Sequence, residues 1–422
     1  MRKTLTTLAV LVAASVTHSL DVASDRKLYD GYQVIRTFPD SEEKLELLKS
    51  IESSVETWTP VSGNMTSVDI MISPKQIPLV KALLKCSNIK YSTTILDLQR
   101  AIDVENIETD RVPEFKGTCS SISGMSWSQY QAYNTFVSYM DCLSSTYENL
   151  VTVYTIGSSS EGRPLKVVKV GKPGSQKKAI WIDGGIHARE WISPASVTFI
   201  LKEFVENSGS YSNILNNYDI YIMPSVNPDG YEYSRNHDRM WRKTRSRNAG
   251  SSCIGTDPNR NWGYKWGGKG ASNQPCTEIY RGAYAFSEPE TAAVRDFILA
   301  RRYNIAMYLT FHSYGQMILY PWGYEREDHS DEYELERMGK VAARAMGRGY
   351  TVGSAAKVLY PAAGGSDDWA KGGAGIKYSY TIELPDTGSY GFILPASQIR
   401  QVGDEAFRAT KAMIQDLLTS RG

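Results

Sequence analysis

Histidine is scarce in this chain of 422 residues, with only five, and cysteine is equally scarce. The search for metal ligands is therefore short. No Cys-x-x-Cys spacing occurs, which argues against zinc held by cysteines, and no Gly-x-Ser-x-Gly elbow points to a serine hydrolase. A net charge of +1 gives no excess that would draw the chain to nucleic acid or to an anionic membrane. Past the N-terminus, no apolar run approaches the ~20 residues of a bilayer span. Internal repeats and low-complexity tracts are missing too.

What is present has an ordinary globular balance, 41% hydrophobic and 22% charged. The length predicts one small and one large domain. Met1-Arg2-Lys3 followed by apolar Leu5 to Val16 reads as a secretory signal within residues 1–24, with cleavage possible at Ser19 or at Ala23-Ser24. Five cysteines suit that compartment. Cys253 and Cys276 enclose a Gly- and Asn-rich loop that a disulfide would pin, and Cys119 with Cys142 makes a second pair, leaving Cys86 odd. Asn64-Met-Thr66 is a glycosylation sequon.

Between Lys27 and Leu98 the pattern reads strand (Tyr32 to Phe38), helix (Ser41 to Ser54), strands (Val55 to Trp58, Ser67 to Ile72), helix (Gln76 to Cys86) and strand (Tyr91 to Ile95). This β-α-β-β-α-β order predicts a small α+β open sandwich. A helical connector follows from Asp97. It ends in a charged, Pro-containing stretch where Arg111 and Lys116 offer cuts to a trypsin-like protease. From Cys119 onward strands and helices alternate, which predicts an α/β fold with a mixed, mostly parallel sheet flanked by helices. Strands are expected at 151–157, 165–170, 178–183, 218–226, 305–311 and 378–383. Helices are expected at 128–144, 194–207, 288–302, 331–346 and 395–418.

His187 and Glu190 follow the apolar run Lys178 to Asp183 and the turn Gly184-Gly185. On a helical turn their spacing puts imidazole and carboxylate on one face. Catalytic zinc takes three protein ligands of this kind and keeps a position open, so a distant third ligand is required. His18 lies in the leader, while His237 and His329 sit in polar, loop-like contexts. His312 instead ends the apolar run from Ile305, where a strand would deliver it to the end of a sheet. Glu383 ends the apolar run from Ile376, where a buried carboxylate needs a partner or a metal, and it suits a general base. Trp241-Arg-Lys-Thr-Arg245 and Asn259-Arg260-Asn261 supply cations suited to a carboxylate or an oxyanion. Asp367, after two glycines, lines a pocket or caps a helix, and Tyr360 presents its hydroxyl or packs. Taken singly, each signal also fits a surface pair, a core histidine, a salt-bridged strand end or a solvated loop.

Together, in order along the chain, they resemble the zinc metallocarboxypeptidases of the pancreatic A and B type, as secreted proenzymes. The resemblance rests on His187-Ala-Arg-Glu-Trp191, Asn227-Pro-Asp-Gly230, Trp241-Arg-Lys-Thr-Arg-Ser246, Asn259-Arg-Asn-Trp262, His312-Ser-Tyr314, Gly364-Gly-Ser-Asp-Asp-Trp369 and Tyr390-Gly-Phe392. It implies zinc on His187, Glu190 and His312, the set long known for carboxypeptidase A. It implies Glu383 as base and Arg245 as holder of the oxyanion. Asn259 and Arg260 would clamp the substrate's terminal carboxylate, with Tyr360 closing over it. Arg189, Arg242, Ser313, Tyr314 and Phe392 would line the extended cleft, and Asp257 would orient the first histidine. Residues 25–111 would be the inhibitory pro-domain and connecting segment, cut near Arg111, and residues 112–422 a catalytic domain working as a monomer. Asp367 stands where B-type enzymes carry aspartate and A-type enzymes an apolar residue, so C-terminal Lys and Arg are the expected substrates. An A-type specificity and a non-catalytic binding protein on the same fold are the rival readings. One departure is visible: Pro385 stands where the family usually has arginine.

Overall fold

The computed structural model describes residues 26–419, apart from 53, 60, 62–66, 107–117, 175, 176 and 348. The expected leader at 1–24, the Asn64 sequon and the Arg111 and Lys116 cut sites lie outside the described residues.

The N-terminal unit is the expected open sandwich. Strands β1 (Gln33–Phe38), β2 (Glu56–Thr57), β3 (Val68–Ile72) and β4 (Lys90–Ile95) form an antiparallel sheet in the order β2-β3-β1-β4. Side chains alternate along a strand, and here both faces are covered. Ile35 with Val68, Ile70 and Ile72 meets Leu45 and Leu48 of the helix Glu42–Ile51 and Val80 and Leu84 of the helix Ile77–Cys86. Val34 and Met71, on the opposite parity, instead join Trp58 in a cluster with Met240, Tyr314, Phe392 and Ile393. The first helix starts where Ser41 caps Lys44 N. The connecting helix Leu98–Glu105 starts where Asp97 caps Arg100 N, and it docks Leu98, Ile102 and Glu105 on the larger unit.

The larger unit is an eight-stranded mixed sheet. Its strands are β5 (Val151–Ser158), β6 (Pro164–Val170), β7 (Lys178–Asp183), β8 (Tyr218–Met223), β9 (Ile305–Ser313), β10 (Met317–Tyr320), β11 (Thr351–Ser354) and β12 (Tyr378–Leu384), in the order β11-β10-β12-β9-β7-β8-β6-β5. The central four, β12, β9, β7 and β8, run parallel. They are mostly apolar and almost wholly buried because helices cover both faces. One face packs the helices Tyr133–Thr146, Ile192–Glu206, Glu332–Met346 and Ile399–Thr419, and the other packs Pro289–Leu299. Both expected disulfides, Cys119–Cys142 and Cys253–Cys276, are formed, and Cys86 is free and exposed. Among the described residues no helix is long and apolar enough to cross a membrane.

The differences from expectation are local. β10 and β11 were not foreseen, since four residues carry too little periodicity. β8 stops at Met223 rather than 226 because Pro224 cannot donate to a ladder. The helix expected from 128 begins at Tyr133, since the Ser126 hydroxyl takes the Ser128 N–H at 3.2 Å and offers the backbone a competing bond.

Candidate metal centre and cleft

The parallel strands deliver the polar groups at their carboxyl ends, where open α/β sheets leave a crevice. β7 ends at Asp183, and the chain turns at Gly184-Gly185. Gly185 has φ +60 and a Cβ there would come within 3.0 Å of Ser225 Cα; a Cβ on Gly184 would meet Ser193 Oγ at 2.6 Å. His187 to Glu190 then form a turn ahead of the helix Ile192–Glu206. The three-residue spacing brings the two side chains together through this turn, not through a regular helix. His312 is the penultimate residue of β9, and Glu383 lies beside it in register on β12.

Three donors converge. His187 Nδ1 lies 2.7 Å from Glu190 Oε1, His312 Nδ1 lies 3.1 Å from Glu190 Oε2, and the two Nδ1 atoms are 3.2 Å apart. Ligand bonds of about 2.0–2.1 Å in a tetrahedron set donors roughly 3.3 Å apart, so two nitrogens and a carboxylate at these separations fit zinc. Among the described residues this is the one His/Cys/Asp/Glu cluster of that kind. All three are buried. Burial opposes ionisation of Glu190, but His187 and His312 outweigh it and hold the carboxyl well below its ordinary value. Burial likewise opposes charge on His312, and Glu190 overrides it, lifting the imidazole to about 9.

The surrounding groups orient this set. His187 Nε2 lies 3.1 Å from Asp257 Oδ1, and Asp257 Oδ2 accepts from Arg242 Nη2 at 2.8 Å. Asp257 remains ionised despite burial because Arg242 and His187 compensate it. Glu383 is pushed up to about 8, by burial first and by the negative charges of Glu190 and Asp367, against His312 and Arg242. A dication held by the triad would pull the other way.

A cavity of about 430 Å³ opens beside the triad, lined by Arg242, Asn259, Arg260, Ser313, Tyr314, Tyr360, Asp367, Glu383 and Phe392. Arg260 extends toward the Tyr360 hydroxyl, with Nη2 at 3.4 Å, and Asn259 Oδ1 accepts from Ser366 N at 2.9 Å. Asp367 lies in the first turn of the helix Ser366–Gly372 and is buried. Burial raises its pKa, and among the described residues no lysine or arginine pairs with it. Met317, Leu319, Ala355, Val358, Leu359 and Ala362 give that pocket apolar walls.

The expected oxyanion holder is a correction. Arg245 does not reach the cavity: its guanidinium stacks over Tyr233 at 3.5 Å and Trp241 at 4.5 Å, with Glu161 at 3.8 Å. Arg242 is the cation beside the triad, 4.0 Å from Glu190. The segment is an irregular loop with a bend at Lys243, and the two arginines leave it in different directions.

The N-terminal sheet roofs the cleft. Trp58 packs on Phe392 and Tyr314, at centroid distances of 5.1 and 6.4 Å. Asp69 accepts from the Tyr314 hydroxyl at 2.6 Å and from both Arg36 Nε and Nη2, while Arg36 Nη1 donates to Thr387 O. Glu56 takes Arg189 at 2.7 Å, and Arg189 lines an adjoining cavity rather than the triad's own. Fully buried Glu105 pairs with Arg239 at 2.6 and 2.7 Å, and Arg239 also donates to Arg189 O and Phe392 O. Arg239, Asp69 and Trp58 were missed from sequence, since contacts over such separations leave no local signal.

Comparison with known proteins agrees. Residues 136–409 match the zinc carboxypeptidase family model, and residues 35–105 match the carboxypeptidase activation peptide. Carboxypeptidase B of Astacus astacus is 49% identical over 294 residues, 68% of this chain and 97% of its own. Carboxypeptidase B of Rattus norvegicus is 39% identical, covering 95% and 97%. Carboxypeptidase A1 of Sus scrofa is 37% identical, covering 92% and 94%. Among solved structures, thrombin activatable fibrinolysis inhibitor superposes with a TM-score of 0.83 at 37% identity, covering 92% of this chain and 98% of that one.

Proposed function

The chain belongs to the zinc carboxypeptidase family, and we propose that it is a secreted, monomeric zymogen that, once cut near Arg111, releases C-terminal Lys and Arg from peptides and proteins. In this reading residues 25–111 form the inhibitory pro-domain and connecting segment, and residues 112–422 the catalytic domain. The observation that carries the specificity is Asp367, a buried carboxylate with no lysine or arginine partner among the described residues, in a pocket with apolar walls. The walls suit the methylene stem of Lys or Arg, and the carboxylate pairs with its head. An apolar substrate residue would fill the same walls but leave the buried charge unpaired, which disfavours A-type specificity.

His187, Glu190 and His312 would hold zinc, which when bound would supply Lewis acidity and lower the pKa of water. Glu383 takes a proton from the attacking water and returns it to the leaving amine. Arg242, not Arg245, stabilises the oxyanion, because it alone of the two stands beside the triad. Asn259 and Arg260 pair with the terminal carboxylate and Tyr360 covers it; an internal peptide bond offers them nothing to pair with, hence exopeptidase action. Arg189, Tyr314 and Phe392 line the cleft for upstream residues, and in the zymogen Glu56, Asp69 and Trp58 occupy them.

Asp367→Ile tests the reading. Loss of one partner of a buried ion pair costs about 3 kcal/mol, so release of a C-terminal Arg should fall on the order of a hundredfold while peptides ending in Phe or Leu gain. An unchanged preference would remove Asp367 from the specificity role.

A further inference from the structure

The two histidines of the triad are supported unequally. His187 meets Asp257 directly, and Asp257 has Arg242 to balance its charge. Among the described residues His312 meets no carboxylate on its outer side. Its Nδ1 faces the other donors, so Nε2 points away from them, and 3.4 Å off lies Thr310 Oγ1. Thr310 precedes His312 by two residues on β9, so both side chains leave the same face of the strand. Across the ladder Thr310 is paired in register with Asp183, the last residue of β7.

Asp183 is wholly buried. Its Oδ2 accepts from Trp181 Nε1 at 2.6 Å and from the Tyr308 hydroxyl at 2.8 Å, while no direct hydrogen bond within the described residues reaches Oδ1. No lysine or arginine among the described residues pairs with it. A carboxylate buried this way is costly unless it faces positive charge, and the group it faces through Thr310 is a metal ligand.

We propose that Thr310 and Asp183 are positioning residues for zinc: His312 Nε2–H donates to Thr310 Oγ1, and the Thr310 hydroxyl hydrogen turns toward Asp183. The relay fixes the tautomer that leaves Nδ1 free to bind the metal and restrains the imidazole ring. It rests on the zinc centre read above and adds a second support, on the opposite side from Asp257. Trp181 and Tyr308 hold the far end of the relay still.

Zinc affinity of the full chain, measured by competition with a chelator at neutral pH, tests it. Thr310→Val keeps shape and removes the hydroxyl, whereas Thr310→Ser keeps the hydroxyl and loses a methyl. Loss of outer partners costs roughly 10- to 100-fold in metal affinity, and through an intervening hydroxyl we expect about tenfold for Val and little change for Ser. Asp183→Asn should match Val, and the double variant should be no worse than either single one, because both break one chain of bonds. The melting temperature of the zinc-free variants checks that the fold persists; should Val fail to fold, Asp183→Asn carries the test. Natural affinity in Val or Asn, or equal loss in Ser and Val, would overturn the relay while leaving the zinc centre intact. A natural chain that binds no zinc would overturn both.

Discussion

The N-terminal and C-terminal sheets both bury two faces, but they spend their polar residues in different places. In the N-terminal sheet Arg36 and Asp69 stand in mid-strand, on the face turned to the neighbouring unit, where β1 and β3 pair them in register. In the C-terminal sheet the central strands β7, β9 and β12 carry no ionisable acid or base in mid-strand beyond tyrosine, and Asp183, His312 and Glu383 sit at or next to the strand ends. A face offers area, so its charges serve docking. Strand ends offer a crevice with several chains converging on it, so their charges serve chemistry.

The comparison is broken most severely at a strand end. Glu383→Gln should lower turnover of the activated enzyme by on the order of 10³-fold or more, with zinc still bound by metal analysis. Activity within tenfold of the natural enzyme would take the base elsewhere. Next comes the pair of arginines: Arg242→Ala should cost about 10²- to 10³-fold in kcat/KM, and Arg245→Ala, on the outer side, far less. Equal losses would mean that the side facing the triad does not decide the role. The face is tested by Glu105→Ala. Removing one partner of its buried pair with Arg239 costs ~3 kcal/mol, so the cut pro-segment should bind the catalytic unit roughly a hundredfold more weakly in a titration. The exposed Lys27–Asp238 pair, by contrast, should matter little.

The smallest effect concerns a buried carboxylate that serves neither purpose. Glu290 is pushed up to about 7, by burial first and then by Glu288 and Asp229 against the Ser160 N–H. A folded value above the ordinary 4.5 means that the native state is favoured below pH 4.5 and loses stability as pH rises through about 7. Glu290→Gln should flatten that decline in a series of melting temperatures. An unchanged slope would show that Glu290 ionises freely in the fold.

Much of this was legible in the sequence, for identifiable reasons. The N-terminal β-α-β-β-α-β order follows from period-2 and period-3.6 patterns cut by Ser41 and Asp97 caps. The candidate metal ligands could be picked out because histidines are few and, outside the expected leader, only His187 and His312 follow apolar runs. The sequence did not separate Arg242 from Arg245, because motif resemblance alone does not say which way a side chain turns. What lay beyond reach was the partnership across units: Glu105 with Arg239 is 134 residues apart, and Asp69 with Tyr314 is 245. Such pairs depend on how one folded surface meets another.

The central claim is tested most directly by the full chain after limited trypsin treatment, given matched peptides ending in Arg, Lys, Phe and Leu, with and without a zinc chelator. The account predicts release of Arg and Lys, little of Phe or Leu, and none once zinc is removed. Preferential release of Phe and Leu, or release that survives the chelator, would contradict it.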